Sequence, residues 1–421
     1  MTSESGTAYV WCWPPGAIEP VVAGRLDDDG EVVRFTYGRT YLARVHHVPP
    51  IYEPELPLED RTISPLAGMA MAGCIADAGP DGWGQRVITW TRGAARAARD
   101  VRSAAVAPAG PGPLDFLLES GSDRFGALDF QASPTEYQAR TTDASLEELQ
   151  EAAHRFDDGE IVSPELQLAL LDGSSMGGAR PKVLIDDRGR KFIAKFSRTS
   201  DSYPVVKAEG LAMELARRVG LDVVPSSVVD VAGRDVLLVD RFDRTAVRGE
   251  RRMAVSALTI LELDERWARY ATYPDLADQI RRRFRQPRRT LHELFGRIVF
   301  NICVGNTDDH ASNYAAFVEQ DSLALTPAYD LCPQPRLGGE AVQAMAIRPD
   351  GYRFSRLDGA IAAAPTYQLT GDQARDVVER QIDIIRTHWT EAADLARLTT
   401  SERDSLWGAQ ILNPYAFEPE H

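Results

Sequence analysis

The chain has 421 residues, 44% hydrophobic and 26% charged, enough material for more than one core at ordinary domain size. Its 62 acidic and 47 basic side chains leave a net charge of −15, which argues against a general nucleic-acid binder because phosphate contacts need a basic surface. Four scattered cysteines without a CxxC pair, no apolar run near the ~20 residues of a membrane span, and an opening Met1–Gly6 unlike a signal peptide predict a cytoplasmic globular protein without membrane contact, disulfide framework or zinc site.

Along the chain, Val21–Leu26, Val32–Tyr37 and Thr40–Val45 read as short strands with turn residues between them. Pro49–Pro57 is too proline-dense for regular structure. Leu66–Ala78 reads as a small-residue helix stopped by Gly79-Pro80-Asp81-Gly82, and Trp83–Ala97 as a second helix. The proline-rich connector Ala104–Pro113 places a boundary near 100–115. Ser145-Leu-Glu-Glu148 matches a capping box opening a helix to Phe156, and Ser163-Pro164 starts a shorter one ending at Asp172-Gly173. Strands follow at Lys182–Asp186 and Lys191–Phe196, then a helix Ala208–Val219 closed by Gly220, then strands Val223–Val231 and Asp235–Val239. Beyond Asp243 the pattern is mostly helical: Ala257–Tyr270, Pro274–Phe284, Thr290–Val304 and two helices after residue 370, interrupted by a hairpin of Tyr314–Val318 and Ser322–Thr326. A glycine loop, two strands, a helix, two more strands and a helical region with a carboxylate-rich loop is the order of a protein kinase's two lobes. The division expected is 1–110, 111–245 and 246–421.

Four constellations could carry chemistry. Gly173-Ser-Ser-Met-Gly-Gly-Ala-Arg-Pro-Lys182 precedes a strand, and its glycines let backbone N–H groups approach an anion. It is neither a Walker A loop nor GxGxxG, and a helix end running into a turn is the plainer reading of it alone. Lys195, in Phe192-Ile-Ala-Lys195, has Glu209 14 residues later on the next helix, a pairing that would hold the ammonium beside phosphates. An edge-strand lysine with its head in water is the bland alternative. In Asn306-Thr-Asp-Asp-His-Ala-Ser-Asn313, Asp308 and Asn313 are five positions apart, the spacing of a kinase catalytic loop, where the carboxylate takes the hydroxyl proton and the amide oxygen binds a metal. Asp330, in Pro327-Ala-Tyr-Asp-Leu331, lies 22 residues beyond Asp308 across the hairpin, where a kinase presents a metal-binding aspartate. The run Arg281–Arg289 carries six arginines, read as a solvated helix end or protein-docking patch, and His310 as a hydrogen-bonding loop residue.

Taken in order, Ser175-Met-Gly-Gly-Ala-Arg-Pro-Lys182, Phe192-Ile-Ala-Lys195, Ala208-Glu209, Val239-Asp-Arg-Phe-Asp-Arg244, Asn306–Asn313 and Pro327–Leu331 resemble the motifs of the HipA toxins, bacterial serine/threonine kinases of type II toxin–antitoxin modules. The resemblance is specific over about 160–335 and looser toward both ends. It implies an α+β, protein-kinase-like two-lobed fold with an N-terminal β-rich accessory domain and a helical C-terminal lobe. It implies Asp308 as catalytic aspartate, Asn313 and Asp330 as Mg²⁺ ligands, and Lys195 on the ATP phosphates, with Glu209 orienting it. Ser175, Gly177, Gly178 and Lys182 fall on the phosphate loop, Asp240 and Phe242 on the hinge that holds adenine, and His310 among the nucleotide contacts. Ser175 also matches the autophosphorylation serine, with Ser174 as the neighbouring alternative. Two positions depart from the family: Asp309 stands where glycine is usual, and Arg180-Pro181 replaces a pair such as Gln-Glu. Growth inhibition and persistence, an aminoacyl-tRNA synthetase as protein substrate, and a HipB-like antitoxin with a helix-turn-helix DNA-binding domain are what the resemblance implies; DNA would be reached only through the antitoxin. A nucleotide-binding pseudokinase and a metal-dependent phosphoesterase built on Asp308, Asp309 and His310 are the alternatives.

Overall fold

A computed structural model of the chain describes residues 6–44, 48–99, 110–173, 175–178, 180–336 and 339–419. Most of the expected 104–113 connector, Val45, Ser174 and Ala179 lie outside them. The chain divides into two units, Met1–Thr199 with Asp243–Ala254, and Ser200–Phe242 with Val255–His421.

In the first unit, β1 (Thr7–Cys12), β2 (Val21–Asp28), β3 (Val33–Tyr37), β4 (Thr62–Ile63) and β5 (Leu128–Gln131) form an antiparallel five-stranded sheet in the order β4-β3-β2-β1-β5. Alternation along β3 puts Val33, Phe35 and Tyr37 into the core. The segment after it is not a strand: Arg39–Leu42 is one helical turn, which stacks the Tyr41 ring on Tyr37 at 5.5 Å and lets its hydroxyl donate to the Pro49 carbonyl. The expected helix over Leu66–Ala78 shrinks to Gly73–Ala76, because the buried Glu55 carboxylate accepts the Gly73 and Cys74 N–H groups at 2.8 Å and fixes where the helix starts. The second expected helix forms over Gly82–Arg99. The capping box forms as predicted, with Ser145 N–H donating to Glu148 and Glu148 N–H to Ser145 Oγ, opening the Leu146–Asp157 helix.

A buried ion pair anchors this unit. Arg124 Nε donates to Asp129 at 2.7 Å with both side chains wholly buried, and Arg140 adds a second cation at 3.0 Å. Arg124 spends its remaining donors on Ser120 Oγ and the Ala78, Leu117 and Ser120 carbonyls, so the charge is compensated. The returning segment is stitched to the same region: Arg244 binds the Asp123 carboxylate at 2.6 Å, Gly126 N–H donates to Asp243 at 2.7 Å, and Arg251 lies 3.5 Å over the Trp13 ring. The helix Pro164–Gly173 packs on the hairpin Lys182–Asp187/Arg190–Phe196.

In the second unit, the helix Val205–Arg218 covers the hairpin Ser226–Val231/Arg234–Asp240 and packs on the long helix Gly371–Leu395. The helix Pro287–Val304 is the centre of the core, with Leu291, Leu294, Phe295, Val299 and Ile302 all without exposed surface. It ends at Gly305 in the left-handed conformation (φ +70°), where a Cβ would lie 2.7 Å from the Gln410 carbonyl oxygen, so only glycine fits. The expected helix over Ala257–Tyr270 is broken into Ala257–Ile260 and a 3-10 segment Glu265–Tyr270: Glu262 turns left-handed and Asp264 caps the second piece. The hairpin Ala315–Glu319/Ser322–Leu325 follows as expected. Among the described residues, no helix is long and apolar enough to cross a membrane.

Candidate active site

The first unit brings together the glycine loop and two lysines. The hairpin register sets Lys182 directly opposite Lys195, so both side chains leave the same face, and both are buried. Like charges opposed across a ladder repel. Lys182 Nζ donates to the Gly177 carbonyl, which bends the loop back over the hairpin. Two buried ammonium groups on one face beside glycine backbone favour an anion, and polyphosphate chemistry fits that face. Gly178, at φ +114°, donates its N–H to the Asp81 carboxylate, and its carbonyl accepts from Trp83 N–H at 3.1 Å. Ser175 has no exposed surface, and its hydroxyl donates to the Asp123 carbonyl at 3.0 Å. The loop is therefore closed against the segment that opens the Gly82–Arg99 helix and against Asp123.

The second unit brings together the segments expected to form the hinge and the catalytic loop, with the candidate metal ligands. In the irregular segment after Gly305, Asp308 faces solvent and Asp309 is buried. The short turn Ala311–Asn313 follows, and Asn313 Nδ2 donates to the Asp308 carbonyl at 3.2 Å, which leaves the amide Oδ1 as the atom available to a cation. Tyr329 OH donates to the Ser312 carbonyl at 2.9 Å, tying the Tyr-Asp-Leu segment to that turn. Phe242 stacks on Tyr329 at 5.4 Å and meets Phe317 edge-on at 5.8 Å, so the predicted adenine residue is ring-packed against the neighbour of Asp330. Asp240, at the end of its strand, donates its N–H to the Pro225 carbonyl at 2.9 Å, and Glu209 is buried on the Val205–Arg218 helix.

Desolvation raises both adjacent carboxyls. Desolvation pushes Asp308 above its usual value, the Asp330 carboxylate adds to the rise, and the His310 imidazole opposes it. Asp308 and Asp330 thus repel each other, a cost that a divalent cation would relieve. Asp330 itself adopts φ +58°, an uncommon left-handed position for a non-glycine residue. Among the described residues, no group of three or more His, Cys, Asp or Glu side chains is placed to hold a metal. Two carboxylate or amide oxygens completed by water and phosphate fit Mg²⁺, which keeps several waters in such sites.

Sequence reasoning missed the groups that support the loops. Asn301, Tyr273 and Tyr314 all converge on Asp309. A lone asparagine inside the apolar run Ile298–Val304 was the available signal for the first. Asp81, Asp123 and Arg244 shape the glycine loop's surroundings through contacts remote in sequence, which no local pattern announces.

The fold and these clusters define an α+β, kinase-like protein. The chain belongs to the HipA family: the HipA-like C-terminal domain model matches residues 174–389, slightly more than half of it. It is 27% identical over 266 residues to the serine/threonine-protein kinase toxin HipA of Shewanella oneidensis, covering 52% of this chain and 59% of that protein. With the toxin YjjJ of Escherichia coli it shares 27% identity over 176 residues, 38% of either chain. It therefore spans less than two thirds of the length of these curated relatives. Its fold matches a solved complex of Shewanella oneidensis HipA, HipB and operator DNA, with a TM-score of 0.65 at 19% identity over 94% of this chain and 97% of that one.

Proposed function

We propose that the chain is a HipA-like toxin kinase, transferring the γ-phosphoryl group of ATP to a Ser or Thr hydroxyl of a cellular protein. The observation that carries this reading is the turn at 308–313: an exposed Asp308, its loop tied by Asn313 and its carboxyl raised by desolvation and, to a smaller extent, by Asp330. Asp308 accepts the hydroxyl proton as that oxygen attacks phosphorus, and the bond to the β-phosphate oxygen breaks. Asn313 and Asp330 would hold Mg²⁺, which would supply the positive charge that the β- and γ-phosphates need. Lys182, Lys195 and the Gly177–Gly178 backbone hold the phosphates, Glu209 orients Lys195, Asp240 and Phe242 hold the adenine, and His310 assists at the nucleotide. The division at 110 and 245 into accessory domain, phosphate-loop region and helical lobe is part of the same reading.

An aminoacyl-tRNA synthetase is the proposed substrate class, and growth arrest and persistence the outcome. The partner is a HipB-like antitoxin that brings the otherwise cytoplasmic chain to DNA, in line with the complex in which the matched Shewanella protein was solved. Against the phosphoesterase alternative stands Asp309, whose carboxylate is turned into the core and consumed by three donors. Incubation with γ-labelled ATP, Mg²⁺ and a bacterial lysate tests the reading: label on a lysate protein is expected. Nucleotide binding without transfer would make the chain a pseudokinase, and phosphoester hydrolysis without need of Lys195 a phosphoesterase.

Autophosphorylation on Ser175 belongs to the proposal. A dianionic phosphate there would occupy space and N–H donors that ATP needs, and repel its phosphates. Mass spectrometry after incubation with Mg²⁺-ATP should find phosphate on Ser175 in the wild type and none in Asp308→Asn; phosphate on Ser174 alone would reassign the site. The Asp81 contact gives a separate expectation. Its carboxylate holds a loop N–H that a phosphate would claim, and a hydrogen bond to a charged group is worth about 1.5 kcal/mol at the low end. Asp81→Ala should therefore bind Mg²⁺-ATP about tenfold more tightly in a nucleotide titration. Weaker binding would mean that Asp81 shapes the loop for ATP instead of competing with it.

A further inference from the structure

We infer that Asp309 is a positioning residue: its buried carboxylate pins the catalytic loop so that Asp308 is held outward for proton transfer. The inference deepens the kinase reading and rests on it. Asp309 is 2% exposed, and its Oδ2 accepts from Asn301 Nδ2 and Tyr314 OH, each at 2.7 Å, and from Tyr273 OH. The donors come from three elements: the first residue of the helix Tyr273–Arg283, the last turn of Pro287–Val304, and the residue entering the Ala315–Glu319 strand. The loop is pinned upstream as well. Asn306 donates from its side chain to Asn301 Oδ1 at 3.1 Å and from its backbone to Asn301 O at 2.9 Å.

Asp308 therefore sits between two anchors that share Asn301. Asp308, the residue just before the buried anchor, is exposed. A glycine at 309 would have no side chain to bury and no acceptor for the two phenols and the amide. Three donors on one oxygen suit the ionised carboxylate, which is an acceptor only. Burial pushes its pKa up to about 6 while the two tyrosines hold it down, so the ionised form prevails near neutral pH.

The test compares full-length wild type, Asp308→Asn, Asp309→Asn and Tyr273→Phe. The readouts are the rate of label transfer from γ-labelled Mg²⁺-ATP to protein, the KM for ATP, the affinity for a non-hydrolysable ATP analogue, and the melting temperature. A loop displaced by about 1 Å costs on the order of 10²-fold in rate. Asp309→Asn should lose about that much kcat while the KM and analogue affinity stay within about twofold. Tyr273→Phe keeps the carboxylate and removes one donor, and should show a smaller loss with the same split at nearly unchanged melting temperature. Near-native kcat in both variants overturns the inference, as does a fall in melting temperature with rate and nucleotide affinity declining together. If Asp309→Asn does not fold, Tyr273→Phe alone decides between these outcomes. Failure of the kinase reading looks different: the wild type itself would transfer no label.

Discussion

Asp308→Asn is expected to lower phosphoryl transfer by about 10²–10⁴-fold, the range for loss of a general base, while the protein stays folded. The side chain faces solvent, so the amide leaves no cavity and strands no buried partner. Asn313 is held by the backbone carbonyl of residue 308, a contact that the substitution does not touch. Nucleotide affinity should therefore survive. The pH profile carries a second signature. The carboxyl of Asp308 is raised by desolvation and by Asp330, and only its ionised form accepts a proton. Transfer should thus fall on the acid side at a pH above the ordinary carboxylate range, and that limb should vanish in the residual rate of Asp308→Asn. Stopped-time transfer assays across pH, with circular dichroism as the folding control, check both points. Near-native transfer by Asp308→Asn with loss in Asp309→Asn would exchange the roles of the two carboxyls.

Asp330→Ala is expected to weaken both Mg²⁺-dependent nucleotide binding and transfer, because it removes the proposed metal oxygen and would leave phosphate charge uncompensated. Two further effects follow from the local structure. The residue occupies a left-handed backbone position at φ +58°, which asparagine and aspartate adopt more readily than alanine. Asp330→Asn should therefore keep more native stability than Asp330→Ala while still losing metal affinity. Removing the Asp330 charge also removes one of the influences that raise Asp308, so the acid limb of any residual transfer should move to lower pH. Nucleotide titrations with and without Mg²⁺ test the first effect, and unchanged metal dependence in the alanine variant would take Asp330 out of the site.

What could be read from the sequence divides along a physical line. Elements set by local chemistry were legible: the Ser145–Glu148 box, the Lys182–Phe196 hairpin with its turn, and the apolar run ending at Gly305 all carry their instructions within a few residues. So was the spacing of Asp308, Asn313 and Asp330, because one tight turn and one hairpin link them. Elements decided by distant partners were not. The start of the Gly73–Ala76 helix depends on Glu55, 18 residues earlier, and the turn at Arg39–Leu42 on burying Tyr41. The same holds for Asp309, whose partner Tyr273 lies 36 residues upstream, beyond the reach of any local pattern.

The burial of Ser175 has a temporal meaning. A hydroxyl with no exposed surface, engaged with the Asp123 carbonyl, presents nothing for a kinase to modify. Any modification of it must wait for the loop to leave Asp81 and Asp123, and a dianionic phosphate could not return to that enclosed position without large desolvation cost. Each molecule modified in this way would be the record of a single opening, kept after the opening itself has ended. If modification switches the chain off as proposed, the frequency of that excursion would set how long a population of such molecules stays active, and the loop's closed contacts, that of Asp81 among them, would act as a clock.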